Sequence, residues 1–148
     1  MKEIYIAPSQ EAGRDFVLRG IKGPVVMLNL LRFRETADYS ASPELEPEKP
    51  ISGKEAYQLY IDHTLPFLKE SGGEIMFLGE GGKYLIGPSG ERWDLVMLIK
   101  QKNVERFLNF ESHKDYQKGI GHRTAALEDS RLLPVAESKE SGKLIFQQ

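Results

Sequence analysis

Apolar residues occur along this chain in two kinds of run. One kind is nearly continuous. Val25-Val26-Met27-Leu28-Asn29-Leu30-Leu31 follows Pro24 and is interrupted only by Asn29, and Trp93–Lys100 has the same character. A half-exposed strand alternates with period two, so strands this apolar are expected to have both faces covered. The other kind recurs three and four apart. Ala56, Tyr57, Tyr60, Ile61, Thr64 and Leu68 share one helical face behind Ser52-Gly53-Lys54-Glu55, which has the spacing of a capping box. Gly72-Gly73 ends that helix, and Pro66 is expected to kink it, because proline removes an amide and crowds the preceding turn. Shorter helices are predicted over Gln10–Arg19 behind Ser9, after Asn103 through Val104, Phe107, Leu108 and Phe110, and over His113–Glu128 with interruptions at Gly119 and Gly121. Lys2–Ile6, Glu74–Leu78 and Arg131–Val135 read as strands. Gly79, Gly81, Gly82, Gly87, Pro88 and Gly90 mark turns, with Lys83–Ile86 extending a hairpin. Residues 34–51 lose all periodicity, with Pro43, Pro47 and Pro50 among acidic residues; a loop of that length is expected to be functional or disordered.

This order predicts an α+β fold of the ferredoxin-like βαββαβ kind, an antiparallel sheet with helices on one face. One domain spans 1–148, with a core over 24–136, an N-terminal extension over 1–23, an acidic proline-containing loop over 34–51 and a tail over 137–148 whose Leu144-Ile145-Phe146 could add a strand. Helices on one side leave the second apolar face of the sheet uncovered. A patch of that kind exceeds what monomers usually expose, so a homodimer paired sheet against sheet is expected; the competing arrangement folds the 34–51 loop and the tail over the sheet.

Composition narrows the chemistry. Lys and Arg number 20 and Asp and Glu 22, a formal charge of −2 with both signs interspersed, which argues against nucleic acid or an anionic membrane as the main partner. Cysteine is absent, which excludes disulfides, thiolate metal sites and a cysteine nucleophile. No apolar run approaches the roughly 18–20 residues of a membrane span, and Met1-Lys2-Glu3-Ile4 does not begin a signal peptide, so a cytoplasmic location is expected.

Several stretches together resemble domain-of-unknown-function family 1330. They are Met27-Leu28-Asn29-Leu30-Leu31-Arg32-Phe33, Gly53-Lys54-Glu55-Ala56-Tyr57 with Tyr60, Gly72-Gly73, Trp93-Asp94, Tyr116, and the run from His122-Arg123 to Leu132-Leu133. The resemblance covers roughly 24–136 and implies the dimeric α+β barrel superfamily. It implies no particular reaction, since the wider superfamily is similar in shape to cofactor-free monooxygenases, lactone isomerases, haem peroxidases and stress-induced proteins.

Candidate chemistry rests on polar groups set into apolar strands. Asn29 is a side-chain amide that must find partners if buried; it is expected to bind a ligand carbonyl in a cavity or to bond a neighbouring strand or loop. Asp94, if desolvated beside Asn29, would be a general base; the competing reading is an ion pair with Arg32, Arg92 or Arg123. His122 is the other acid–base candidate, and Arg32 and Arg123 are candidates for holding a carboxylate or enolate. Tyr60 and Trp93 complete the expected ligand-binding set, although the stripe Tyr57, Tyr60, His63 also fits simple packing. His63, His113 and His122 fit no metal motif, and Gly79-Glu80-Gly81-Gly82 opens no helix and so reads as a turn rather than a phosphate loop. The expected function is binding of a small organic molecule by a homodimer, with a cofactor-free isomerisation or oxygenation as its reaction. The alternative is a non-enzymatic stress-response or dimerisation module.

Overall fold

A computed structural model describes residues 3–137. Four strands, β1 (Val25–Phe33), β2 (Glu74–Lys83), β3 (Arg92–Gln101) and β4 (Leu127–Ala136), form one antiparallel sheet in the order β2-β3-β1-β4. Between β1 and β2 lies α2 (Gly53–Glu70); between β3 and β4 lie α3 (Val104–Glu111), α4 (Lys114–Gln117) and α5 (Ile120–Ala126), and α1 (Gln10–Leu18) precedes β1. This is the expected α+β, ferredoxin-like arrangement.

The helices begin where their caps predict. The Ser9 side chain accepts from the Ala12 amide, Asn103 caps α3, and Ser52 and Glu55 form a reciprocal capping box on α2. The start of α2 lies hard against the end of β1: a Cβ on Gly53 would meet the Arg34 carbonyl oxygen at 2.3 Å and that of Ala126 at 2.6 Å. The helix runs on through Pro66 and stops at Gly72, whose φ of +86° suits glycine.

Residues paired across an antiparallel sheet share a face, so the register separates two surfaces. Met97, Asn29 and Leu132 form one row toward the helices, and Leu95 and Leu31 belong to the next. There Leu31, Met97 and Leu127 pack with Ala56 and Tyr57 of α2 and Ala125 and Ala126 of α5. On the other face, Phe77, Leu98, Leu28 and Leu133 make a row across all four strands, flanked by Val96 with Leu30 and by Val26 with Val135. Phe77 and Leu133 are 55% and 56% exposed. The most extensive helix–strand contact is that of α3 on β3.

The structure corrects four expectations. Residues 3–6 form no strand; they lie beside β4 through side chains, the Tyr5 amide donating to Asp129 Oδ1 at 2.8 Å and Ser130 Oγ donating to the Tyr5 carbonyl. Residues 127 and 128, expected at the end of the 113–128 helix, belong to β4, because Leu127 and Asp129 pair with Phe33 and Arg32 across a bulge that leaves Glu128 outside. Gly79–Gly82 lie inside β2, so the hairpin connection falls at 84–91. Finally, the 34–51 loop is neither disordered nor folded over the open face but is stitched to α5 and α2: Arg34 and Asp38 donate to the carbonyls of Ala126 and Ala125, Gly53 donates to that of Arg34, and Tyr39 is buried in the core. The possible strand at 144–146 lies outside the described residues. No described helix is long and apolar enough to cross a membrane.

Candidate functional site

Two groups of polar side chains form in the fold, and the expected site residues divide between them. The first lies between the sheet and its helices. Tyr57 and Tyr60, one turn apart on α2, tilt together with ring centroids 5.2 Å apart, and the Tyr60 hydroxyl meets that of Tyr116 on α4 at 2.7 Å. The Tyr57 hydroxyl reaches Met97 Sδ at 3.6 Å, directly opposite Asn29 on β1. Phe110 and Tyr116 stack at 4.4 Å, which carries the end of α3 into the same space. Glu111 follows Phe110 there.

The electrostatics of this group have one centre. Burial pushes all three phenols up from their ordinary value, and their mutual proximity raises Tyr57 and Tyr116 further; the Arg123 guanidinium on α5 pulls each of them back. Burial also raises the Glu111 carboxyl, with Arg123 and the Tyr116 hydroxyl opposing. At neutral pH the phenols are therefore proton donors, not phenolates, and Glu111 is more readily protonated than a surface glutamate. Arg123 is anchored by donating to the Ile6 carbonyl. One turn beyond Tyr60, the buried Thr64 Oγ1 has no hydrogen-bond partner among the described residues. Such a set can hold an oxygen that gains negative charge and can move a proton to or from a neighbouring atom.

The second group lies at one end of the sheet. Arg32 and Arg131 hold their guanidinium carbons 5.7 and 5.1 Å from the Trp93 ring centre, and Arg131 is also 4.7 Å from that of Tyr5. Trp93 is buried and donates its indole N–H to the Tyr84 hydroxyl at 2.7 Å. Burial of Asp129 works against its charge, but hydrogen bonds from Tyr5, Arg131 and Ser130 outweigh it and hold the carboxyl below its ordinary value.

Of the expected residues, Asn29, Tyr60 and Arg123 thus belong to the helix-side layer and Arg32 and Trp93 to the sheet end. Asn29 takes the local option, donating from Nδ2 to the Met27 carbonyl at 3.2 Å. The structure gives Asp94 no contact with Asn29. Its carboxylate accepts from the Phe33 amide at 2.8 Å, where β1 and β3 separate, and pairs with Arg92 at 3.4 Å. His122 stands with Tyr39, its Nδ1 2.7 Å from the hydroxyl; burial first, and His63 second, hold its pKa below the usual 6.5. His63 itself lies with Nε2 2.8 Å from the Asp115 carbonyl oxygen. Among the described residues no group of three His, Cys, Asp or Glu side chains converges as a metal site requires.

Glu111 was missed by pattern reading, although a signal existed. It falls seven residues after Val104 on the apolar stripe with Phe107 and Leu108, a position where a carboxylate is out of place. Tyr5 and Asp129 lie 124 residues apart, and nothing local announces their contact.

No family model matches the chain, and no curated protein matches it either. Among solved structures, that of methylated RPA0582 protein is similar, with a TM-score of 0.83 and 32% identity over 94% of this chain and 98% of that one. A second structure of the RPA0582 protein, described as of unknown function and from Rhodopseudomonas palustris, gives 0.81 and 32% over 93% and 100%. A protein from Bacteroides fragilis, described as dimeric, of unknown function and of ferredoxin-like fold, matches at 13% identity and a TM-score of 0.48 over 79% and 99%, too distant to inform this chain.

Proposed function

The chain belongs to the same family as the RPA0582 protein of Rhodopseudomonas palustris, and on that premise we propose that it is a homodimer, closed sheet against sheet, that binds a small, partly apolar organic molecule beneath its helices. The finer placement in domain-of-unknown-function family 1330 and the dimeric α+β barrel superfamily belongs to the same proposal, supported by the motifs quoted above. Dimerisation is supported by the uncovered row Phe77, Leu98, Leu28, Leu133. Burying each such side chain is worth roughly 1.5–3 kcal/mol, and a two-fold axis lets one patch cover its own copy.

The observation that carries the binding site is the convergence of Tyr57, Tyr60, Tyr116 and Glu111 on the Arg123 guanidinium. A ligand carbonyl or phenol oxygen would be held by Arg123 and a tyrosine hydroxyl. Glu111 would take a proton from the carbon beside that carbonyl, the electron pair moving onto the oxygen, and return the proton to another carbon. The product is an isomer, and no cofactor is consumed. Asn29, opposite Met97, forms the floor on the sheet side, and His122 is the second acid–base group.

A non-enzymatic reading, a stress-response or dimerisation module, is favoured by one specific feature: Tyr60 and Tyr116 satisfy each other at 2.7 Å. Native mass spectrometry against a panel of small carbonyl compounds separates the two. Capture by the wild type that is lost in Glu111→Gln and Tyr116→Phe is the expected result. Absence of capture, with the variants only melting at lower temperature, would establish the module and sink the enzyme.

A further inference from the structure

Arg32 is a buried cation, 6% exposed, whose enclosed Nε finds no hydrogen-bond acceptor among the described residues. Its nearest carboxylates stand off at 3.6 Å (Asp129) and 3.8 Å (Glu128). Asp129 Oδ1 accepts from Arg131 Nη1 at 2.7 Å and from the Tyr5 and Ser130 amides, while its Oδ2 is the oxygen that faces Arg32. The Trp93 face gives Arg32 a cation–π neighbour but no acceptor. A guanidinium with a donor unused is costly to bury, and such groups are normally completed by an acceptor.

The structure offers room for one. Arg32 lines a cavity of about 300 Å³ together with Tyr5, Asp129, Arg131, Glu3 and Glu91. That volume lies at the small end of the range for ligand pockets, roughly 300–1,000 Å³. Arg32 lies at the buried end beside Asp129, whereas Glu3, which accepts from the Tyr5 hydroxyl, is exposed and Glu91 is half-buried. A simple anion would meet those two carboxylates as it entered. We propose that the cavity binds a small zwitterion of the α-amino-acid type, its carboxylate on Arg32 and its ammonium group toward Glu3 and Glu91. This site shares no residue with the group beneath the helices, so it stands whether or not that group binds anything.

The test is isothermal titration of the full chain with a panel of L-amino acids and with the matching acids that lack the amino group. At least one amino acid should bind, its deaminated counterpart should bind at least tenfold more weakly, and Arg32→Met should weaken the amino acid at least tenfold. Should Arg32→Met fail to fold, Glu91→Gln at the rim carries the same test: it should narrow the gap between amino acid and deaminated acid. Equal binding of the two acids, or no binding of any panel member at millimolar concentration, overturns the proposal, as does a Glu91→Gln variant with unchanged discrimination.

Discussion

The two faces of this sheet are built from much the same side chains and meet different surroundings. Toward the helices, Val25, Met27, Leu31 and Met97 are at most 3% exposed. Away from them, Val26, Leu28, Leu30, Val96 and Leu98 remain half-buried, with Phe77 and Leu133 more than half exposed. The protein uses the first face to close its own core. The second is equally apolar and stays more open to solvent. A strand with leucine and valine on both sides has two faces to cover, and the second is the one proposed to meet another copy.

That contrast can be broken from either side. The largest expected effect is on association. Leu98→Asp places a charge in the centre of the open face, between Phe77 and Leu28. Losing one buried leucine per copy should cost the dimer roughly 3–6 kcal/mol, or about a hundred- to ten-thousandfold in the dissociation constant, before the charge is counted. Sedimentation should show monomers that keep their far-ultraviolet dichroism. The reciprocal change, Leu31→Ala on the helix side, should cost about 2–5 kcal/mol of folding stability in urea titrations. It should leave the association of folded chains unaltered. If Leu31→Ala dissociated the dimer as strongly as Leu98→Asp, the two faces would not be independent.

Smaller effects probe the polar layer under the helices. Tyr116→Phe removes the bond to Tyr60 and should cost roughly 1 kcal/mol. Glu111→Gln should act through pH. The folded carboxyl titrates above its ordinary 4.5, so between those values the folded state holds more protons than the unfolded one. The stability of the natural protein should therefore be full below pH about 4.5 and decline as pH rises through the raised value. The variant should lose that slope, so the difference in melting temperature should disappear below the window, grow across it and level off above it.

How much of this was legible beforehand depends on how local each signal is. The double-sided apolar character of β1 and β3 could be read directly, because no polar residue but Asn29 breaks the first run through Leu31. The Ser52–Glu55 box placed the start of α2 to the residue. The start of β4 could not be read in this way: Leu127-Glu128-Asp129-Ser130 suits a helix end or a strand equally, and pairing with Arg32 and Phe33 decides it. Tyr60 and Arg123 were expected as ligand groups and stand in one cluster. Arg32 and Trp93 stand in another, at the sheet end. Their grouping depends on β4 and the N-terminal segment meeting beside β1, which is a tertiary fact. Asp94 could be read as a desolvated base or as the ion-pair partner of Arg32, Arg92 or Arg123; in the fold it accepts from the Phe33 amide and pairs with Arg92.

The second interface is the claim on which the rest turns, and sedimentation equilibrium of the unmodified protein across a wide concentration range tests it most directly. The account predicts twice the mass of the chain at micromolar concentration, reduced to the single-chain mass by Leu98→Asp. A well-folded single chain at all concentrations, or a dimer indifferent to Leu98→Asp, would contradict it.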